Sequence, residues 1–322
     1  MLKSFFHTIL LLLVACTGCC PHLYHPADCP EQPEAFEVPE RIRVALVLGS
    51  GGVRGMAHVG VLEELENAGI PIDLIVGCSA GSIVGALYAD NPDISSIKHA
   101  VWGIRSQSMF DLDVWNCRFG LSQDRSMYRV LRKHLCADTF EDLKIPLVIV
   151  ASDLHTAELV PMGSGCLLKA VQASCSIPFV FVPCEHLGRI LVDGGVINPV
   201  PVKVARDLGA EVIIAVDLCE MLPSTFPTNL FQVAKRSAEI AFMWQNEGCT
   251  RGATVVIRPK TCGVGCFNDE MKAQIYEAGK SAARDKMACI KECIAPYLDD
   301  SCKGQRTRCY QPCCYTPRIC LD

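Results

Sequence analysis

Twice in the first third of the chain, a short apolar run ends in a turn of small residues and passes straight into a helical pattern. Val44 to Leu48 leads into Gly49-Ser50-Gly51-Gly52-Val53-Arg54-Gly55 and then into Met56 to Ala68, where Val59, Leu62 and Leu65 recur at helical spacing. Ile72 to Val76 leads into Gly77-Cys78-Ser79-Ala80-Gly81 and a second helical stretch, Ala80 to Ala89. An apolar run of that length without polar alternation fits a strand covered on both faces. Leu147 to Ala151, Ile190 to Val192, Val212 to Val216 and Ala253 to Ile257 are further strand candidates. Strands alternating with helices predict an α/β fold around a mostly parallel central sheet flanked by helices.

The chain divides into four stretches by composition. Residues 1–15 carry Lys3 and the apolar run Ile9 to Ala15, too short to span a membrane, and read as an export signal. The run closes on Leu13-Val14-Ala15-Cys16, which looks like a bacterial lipobox with Cys16 as the lipidated residue. Residues 16–40 hold Pro21, Pro26, Pro30, Pro33 and Pro39 and read as a semi-extended tether. The main folded domain is expected over 41–261. Residues 262–322 form a helical and cysteine-rich remainder, with Met271 to Ile294 a helix and 301–322 irregular. Ile104 to Phe119 fits neither period; its apolar residues suit contact with an apolar ligand or a membrane as well as core packing. The export signal implies an oxidising compartment, so disulfides are expected of the 21 cysteines, above all in the tail. Zinc is the lesser reading there, since no His follows residue 186 and the tail contains no CxxC pair. With a net charge of −5 and no basic block, the chain lacks the electrostatic footprint of a nucleic-acid binder.

The chemistry concentrates at strand ends. Gly-x-Ser-x-Gly at 77–81, between a strand and a helix, is the pattern of a nucleophile elbow with Ser79 at its tip; Gly77 and Gly81 clear the space around the turn. The glycine loop at 49–55 can aim backbone N–H groups at an anion, which in a hydrolase is the oxygen of a tetrahedral intermediate. A dinucleotide fingerprint would put glycine at 54, where Arg54 stands. Arg54 itself suits a structural bond within the loop more than a headgroup contact. His58 suits packing in the following helix more than catalysis. Asp193-Gly194-Gly195 ends a strand and offers a carboxylate base to Ser79. Asp153 also ends a strand and is the alternative base, and His155 and His186 could complete a triad with it.

Gly-Gly-x-Arg-Gly at 51–55, Gly-x-Ser-x-Gly at 77–81 and Asp-Gly-Gly at 193–195 occur in the order and contexts of the patatin-like phospholipases, which this chain resembles from about Val44 to Val216. Ala170 to Pro178 and Asn198-Pro199-Val200-Pro201 resemble the segments flanking that family's acid motif. The resemblance implies a three-layer α/β fold and hydrolysis of lipid acyl esters by a serine–aspartate dyad without a catalytic histidine. Ser79 would be the nucleophile, Asp193 the base, and the amides of Gly51, Gly52 and Val53 the oxyanion donors, in a loop completed by Arg54 and Gly55. No metal or organic cofactor is implied. The expected substrate is a phospholipid or another acyl-ester lipid. The expected location is an outer membrane or cell surface, held by the lipid on Cys16. A general carboxylesterase and an inert cross-linked lipoprotein are the competing readings. Residues 151–159 depart from the family pattern, in which Thr-Gly often follows Asp-Leu.

Overall fold

The computed structural model describes residues 33–112, 119–123, 125–219, 226–261, 268–298, 307–312 and 314–315. The expected signal peptide, Cys16 and most of the tether therefore lie outside the described residues, as do Trp115 and the tail cysteines Cys262, Cys266, Cys302, Cys313 and Cys320.

The strands are β1 (Phe36–Pro39), β2 (Ile42–Leu48), β3 (Leu74–Cys78), β4 (Asp111–Leu112), β5 (Ser122–Gln123), β6 (Leu147–Asp153), β7 (Leu159–Met162), β8 (Cys184–His186), β9 (Arg189–Asp193), β10 (Ala210–Val216), β11 (Val255–Ile257) and β12 (Thr307–Tyr310). The helices are α1 (Met56–Asn67), α2 (Ala80–Asp90), α3 (Ile94–Gly103), α4 (Arg125–Leu131), α5 (Leu167–Ser174), α6 (Val202–Asp207), α7 (Leu230–Cys249) and α8 (Lys272–Leu298). The central sheet runs β11-β10-β2-β3-β6-β9-β8, with β7 also on β6. The pairings from β11 to β6 are parallel, and those of β7, β8 and β9 are antiparallel.

The unbroken apolar runs have a direct cause. Along β2, Val44, Leu46 and Leu48 enter one core while Ala45 and Val47 enter another. β6 divides the same way, Leu147, Ile149 and Ala151 against Val148 and Val150. Alternate residues point to opposite faces, so a strand buried on both sides must be apolar throughout. Helices α1, α2, α3 and α8 cover the first face, and α6 with the β1–β12 ribbon covers the second.

Two features differ from the sequence expectation. Phe36–Pro39, within the stretch read as tether, pairs with Thr307–Tyr310 in the stretch read as irregular, and Phe36 and Val38 are buried. The C-terminal helix is also part of the main core. Ile275, Tyr276, Ala283, Ile290 and Ile294 of α8 pack into the same cluster as α1. Glu63 of α1 binds both Lys280 and Tyr276 of α8.

The topology decides where the chemistry sits. On β6, Val150 pairs with both Cys78 of β3 and Pro161 of β7, and Ala151 pairs with both Asp193 of β9 and Val160 of β7. A strand has two edges, so β3 and β9 share one and β7 takes the other. β3 runs parallel to β6 and β9 antiparallel. Their carboxyl ends therefore meet head to head at Val150 and Ala151, which brings Ser79, the residue after β3, to Asp193, the last residue of β9.

Candidate active site

Ser79 stands at φ 52° and ψ −120° between β3 and α2, in the left-handed region that a side chain rarely adopts. Such strain costs about 1–3 kcal/mol and persists only where the surroundings over-determine it. Here Ser174 Oγ accepts the Ser79 N–H at 2.8 Å. The Ser79 carbonyl starts α2 by accepting from Ser82 N at 2.8 Å and from Ser82 Oγ at 2.7 Å. Gly81 is required by close approach, because a Cβ there would lie 2.0 Å from the carbonyl oxygen of Leu48.

Asp193 accepts the N–H of Gly195 at 2.7 Å, and the Ser79 side chain is close enough to lower its carboxyl. Its own N–H donates to Ser176 O at 3.0 Å. The segment 174–176 thus grips both members of the pair, a role for Ser174 and Ser176 that only their place in the family-like stretch hinted at. Behind the acid loop, Gln245 of α7 donates to Val196 O at 3.0 Å and also to Ile197 O. Burial pushes the Asp193 carboxyl up to about 6, against the lowering effect of Ser79 and Gly195. A carboxylate there is a stronger base than an exposed one and is still ionised at neutral pH.

The glycine loop offers the complementary charge. Arg54 holds the Gly51 carbonyl through its own N–H at 3.2 Å and through Nε at 3.2 Å. In a trans peptide the C=O and the following N–H point in opposite directions. Fixing the Gly51 carbonyl therefore fixes the Gly52 N–H, and Gly52 itself sits at φ 58°. Among the described residues the amides of Gly52 and Val53 donate to no acceptor, and both residues line the cavity that contains Ser79. Gly51 lies outside that lining, and the N–H of Arg54 is engaged within the loop. His58 is fully buried and hydrogen-bonds Gly49 O through Nε2 at 2.8 Å, with Nδ1 unpartnered among the described residues. Burial lowers it to about 4, so it is neutral at working pH and steadies the loop.

Asp153 is engaged elsewhere. Its Oδ2 meets Arg189 Nη1 at 2.7 Å, and its Oδ1 accepts from His155 N at 2.8 Å and Thr156 N at 3.1 Å. Arg189, buried, also bridges to Glu158 at 2.7 Å. Although burial opposes it, these bonds hold the Asp153 carboxyl below the usual range. None of Asp153, His155 and His186 lines the cavity at Ser79. Cys78 and Cys175 are both buried beside the site, and burial raises both thiols, so neither supplies a thiolate to compete with Ser79.

The cavity has a volume of about 130 Å³. Its walls are largely apolar: Val53, Met56, Ile83, Val84, Ile104, Met109, Phe110, Met127, Ile177 and Phe181. Ile104, Met109 and Phe110 come from the segment that matched neither period, and Phe110 stacks on Phe181 with ring centroids 5.1 Å apart.

A three-layer α/β fold with a strained serine after a parallel strand, a buried carboxylate near it and unengaged amides alongside is an arrangement suited to nucleophilic acyl-ester chemistry. The family model for the patatin-like phospholipases matches residues 46–206, half of the chain, and the chain belongs to that family. It is 37% identical over 185 residues to patatin-like phospholipase domain-containing protein 6 of Mus musculus. The match covers 54% of this chain and 13% of that relative. It is 35% identical over 179 residues to lysophospholipase NTE1 of Coccidioides immitis, covering 54% of this chain and 11% of that protein. The chain thus spans about an eighth of the length of these relatives. Among solved structures, VipD from Legionella pneumophila shares the fold, with a TM-score of 0.52 at 14% identity over 90% of this chain and 73% of that one.

Proposed function

We propose that the protein hydrolyses the acyl ester of a phospholipid, a lysophospholipid or a related lipid. The observation that carries this reading is strained Ser79 on the wall of an apolar cavity, with buried Asp193 close enough for the serine to act on its carboxyl. Ser79 Oγ attacks the ester carbonyl as its proton passes to the Asp193 carboxylate. The carbonyl oxygen, now negative, takes the N–H groups of Gly52 and Val53. Removing one such donor costs roughly 100- to 1000-fold in turnover in comparable sites. Collapse of the tetrahedral species breaks the ester C–O bond, and Asp193 returns the proton to the departing alcohol. Water then attacks the acyl-Ser79 ester with Asp193 again as base, releasing a fatty acid.

The apolar walls favour a lipid over a small ester, and names containing phospholipase and lysophospholipase among the relatives support the same class. Fatty-acid release from phosphatidylcholine and lysophosphatidylcholine vesicles, wild type beside Ser79→Ala, tests it. Release by the wild type alone is expected. Release confined to water-soluble short esters would favour a general carboxylesterase.

The proposal extends to location. Leu13-Val14-Ala15-Cys16 after a short apolar run supports export with a lipid on Cys16, and the cysteine content supports disulfides in the tail. The proline-rich residues that follow would let the site reach lipid near its own anchor. Of the described tail cysteines, Cys289, Cys293 and Cys309 form no disulfide in the structure. Palmitate labelling of wild type and Cys16→Ser tests the anchor. Label on the wild type alone is expected, and label on neither would overturn it.

A further inference from the structure

One wall of the cavity is the chain leaving α3, and it is moored to a part of the molecule that the family match does not reach. The moorings fall on every second residue. The ring of Trp102 meets Tyr276 edge-on, with centroids 5.1 Å apart. The carbonyl of Ile104 accepts from Lys272 Nζ. Ser106 donates its N–H to Asp269 Oδ2 at 2.8 Å and its hydroxyl to Oδ1 at 2.9 Å. Tyr276, Lys272 and Asp269 follow one another at helical spacing, so they present one face to the segment that begins at Ile104 and turns through a short 3-10 helix over Ser106–Met109.

Lys272 is buried and pairs with Asp269 at 3.2 Å. Both residues line the cavity, as do Ile104, Ser106, Met109 and Phe110 of the moored segment. A buried charge needs its partner, and removing one side leaves the other uncompensated. The pair is thus a fixed clamp on the wall of an apolar cavity.

We propose that Asp269 and Lys272 are specificity-determining positioning residues. They strap the wall over 104–110 to the head of α8 and so set how much of an acyl chain the cavity buries. This rests on reading Ser79 as the nucleophile of a lipid acyl hydrolase. Each methylene buried against a fixed apolar wall is worth about fourfold in affinity. A wall released from its strap retreats from the added methylenes and returns less for each.

The test is calorimetric titration of octanoate, decanoate, laurate and myristate onto the full chain, in wild type, Ser106→Ala, Ser106→Thr and Asp269→Asn. Wild-type affinity is expected to rise about fourfold per methylene. Ser106→Ala and Asp269→Asn flatten that rise to less than about twofold, while octanoate binds within about threefold of wild type, because the walls supplied by Val84, Met127 and Ile177 are untouched. Ser106→Thr, which keeps the hydroxyl, keeps the wild-type slope. Ser106→Ala leaves the ion pair intact and carries the test if Asp269→Asn fails to fold. Parallel slopes in wild type and variants, or no slope in wild type, overturn the proposal. Fluorophosphonate labelling of Ser79 in the same samples reads the hydrolase assignment separately, since loss of label with an intact slope counts against the nucleophile and not the strap.

Discussion

Asp193→Asn is expected to make the protein more stable and catalytically inert at the same time. The folded protein holds Asp193 protonated up to about pH 6, because the site withdraws the carboxyl from water. The unfolded chain releases that proton near 3.8, the ordinary aspartate value. Between those limits the folded state binds the extra proton, so the group's contribution to stability falls as pH rises from about 4 to about 6. At neutral pH the ionised carboxylate costs about 3 kcal/mol relative to its neutral form. An asparagine of the same shape can still accept the Gly195 N–H and avoids the buried charge. At about 2–4 °C per kcal/mol for a domain of this size, the gain at pH 7 is up to roughly 10 °C in Tm, vanishing near pH 4. Differential scanning calorimetry of wild type and Asp193→Asn at both pH values reads it directly. In parallel, wild-type kcat/KM on a short ester is expected to fall tenfold per pH unit below about 6, with no limb from His58, which titrates near 4. A Tm for Asp193→Asn at or below wild type at pH 7, or activity flat down to pH 4.5, would refute the claim that burial sets the basicity of this carboxylate.

Arg54→Met should lower kcat by roughly 10-fold with KM little changed, because it removes one of the two bonds that hold the Gly51 carbonyl and so loosens one of two oxyanion donors; steady-state kinetics checks it, and an unchanged kcat places the donors elsewhere. Arg189→Met should destabilise by about 3–5 kcal/mol, since Asp153 and Glu158 lose their shared cation in a buried site. Denaturant unfolding measures that loss, and any protein that folds should keep near-normal fluorophosphonate labelling, which a catalytic Asp153 would forbid.

The strands of the main sheet could be read from the sequence because burial on both faces leaves apolar runs that need no periodicity to be seen, as in β2, β6 and β10. The ribbon of β1 and β12 could not. It is short, half exposed, and its partners sit 270 or so residues apart, so neither strand carries a local signal. Ser79 and Asp193 were legible as residues at strand ends with glycines around them. Their meeting was not, because it depends on β3 and β9 sharing one edge of β6, which is a property of the whole sheet. The same holds for Asp153. In sequence it equals Asp193 as a strand-end carboxylate, and only the buried Arg189 opposite shows that it is structural. The strap on the cavity wall was invisible for a related reason, since Asp269 and Ser106 are ordinary polar residues until α8 is laid against α3.

The measurement that bears most directly on the account is the rate and site of phosphonylation by an alkyl fluorophosphonate, followed by mass spectrometry of the digested protein, in wild type, Ser79→Ala and Asp193→Asn. The account predicts one adduct, on the peptide containing Ser79, absent in Ser79→Ala and formed at least about 100-fold more slowly in Asp193→Asn, since the carboxylate takes the serine proton as the bond forms. An adduct on any other residue, or equal rates in wild type and Asp193→Asn, would contradict it.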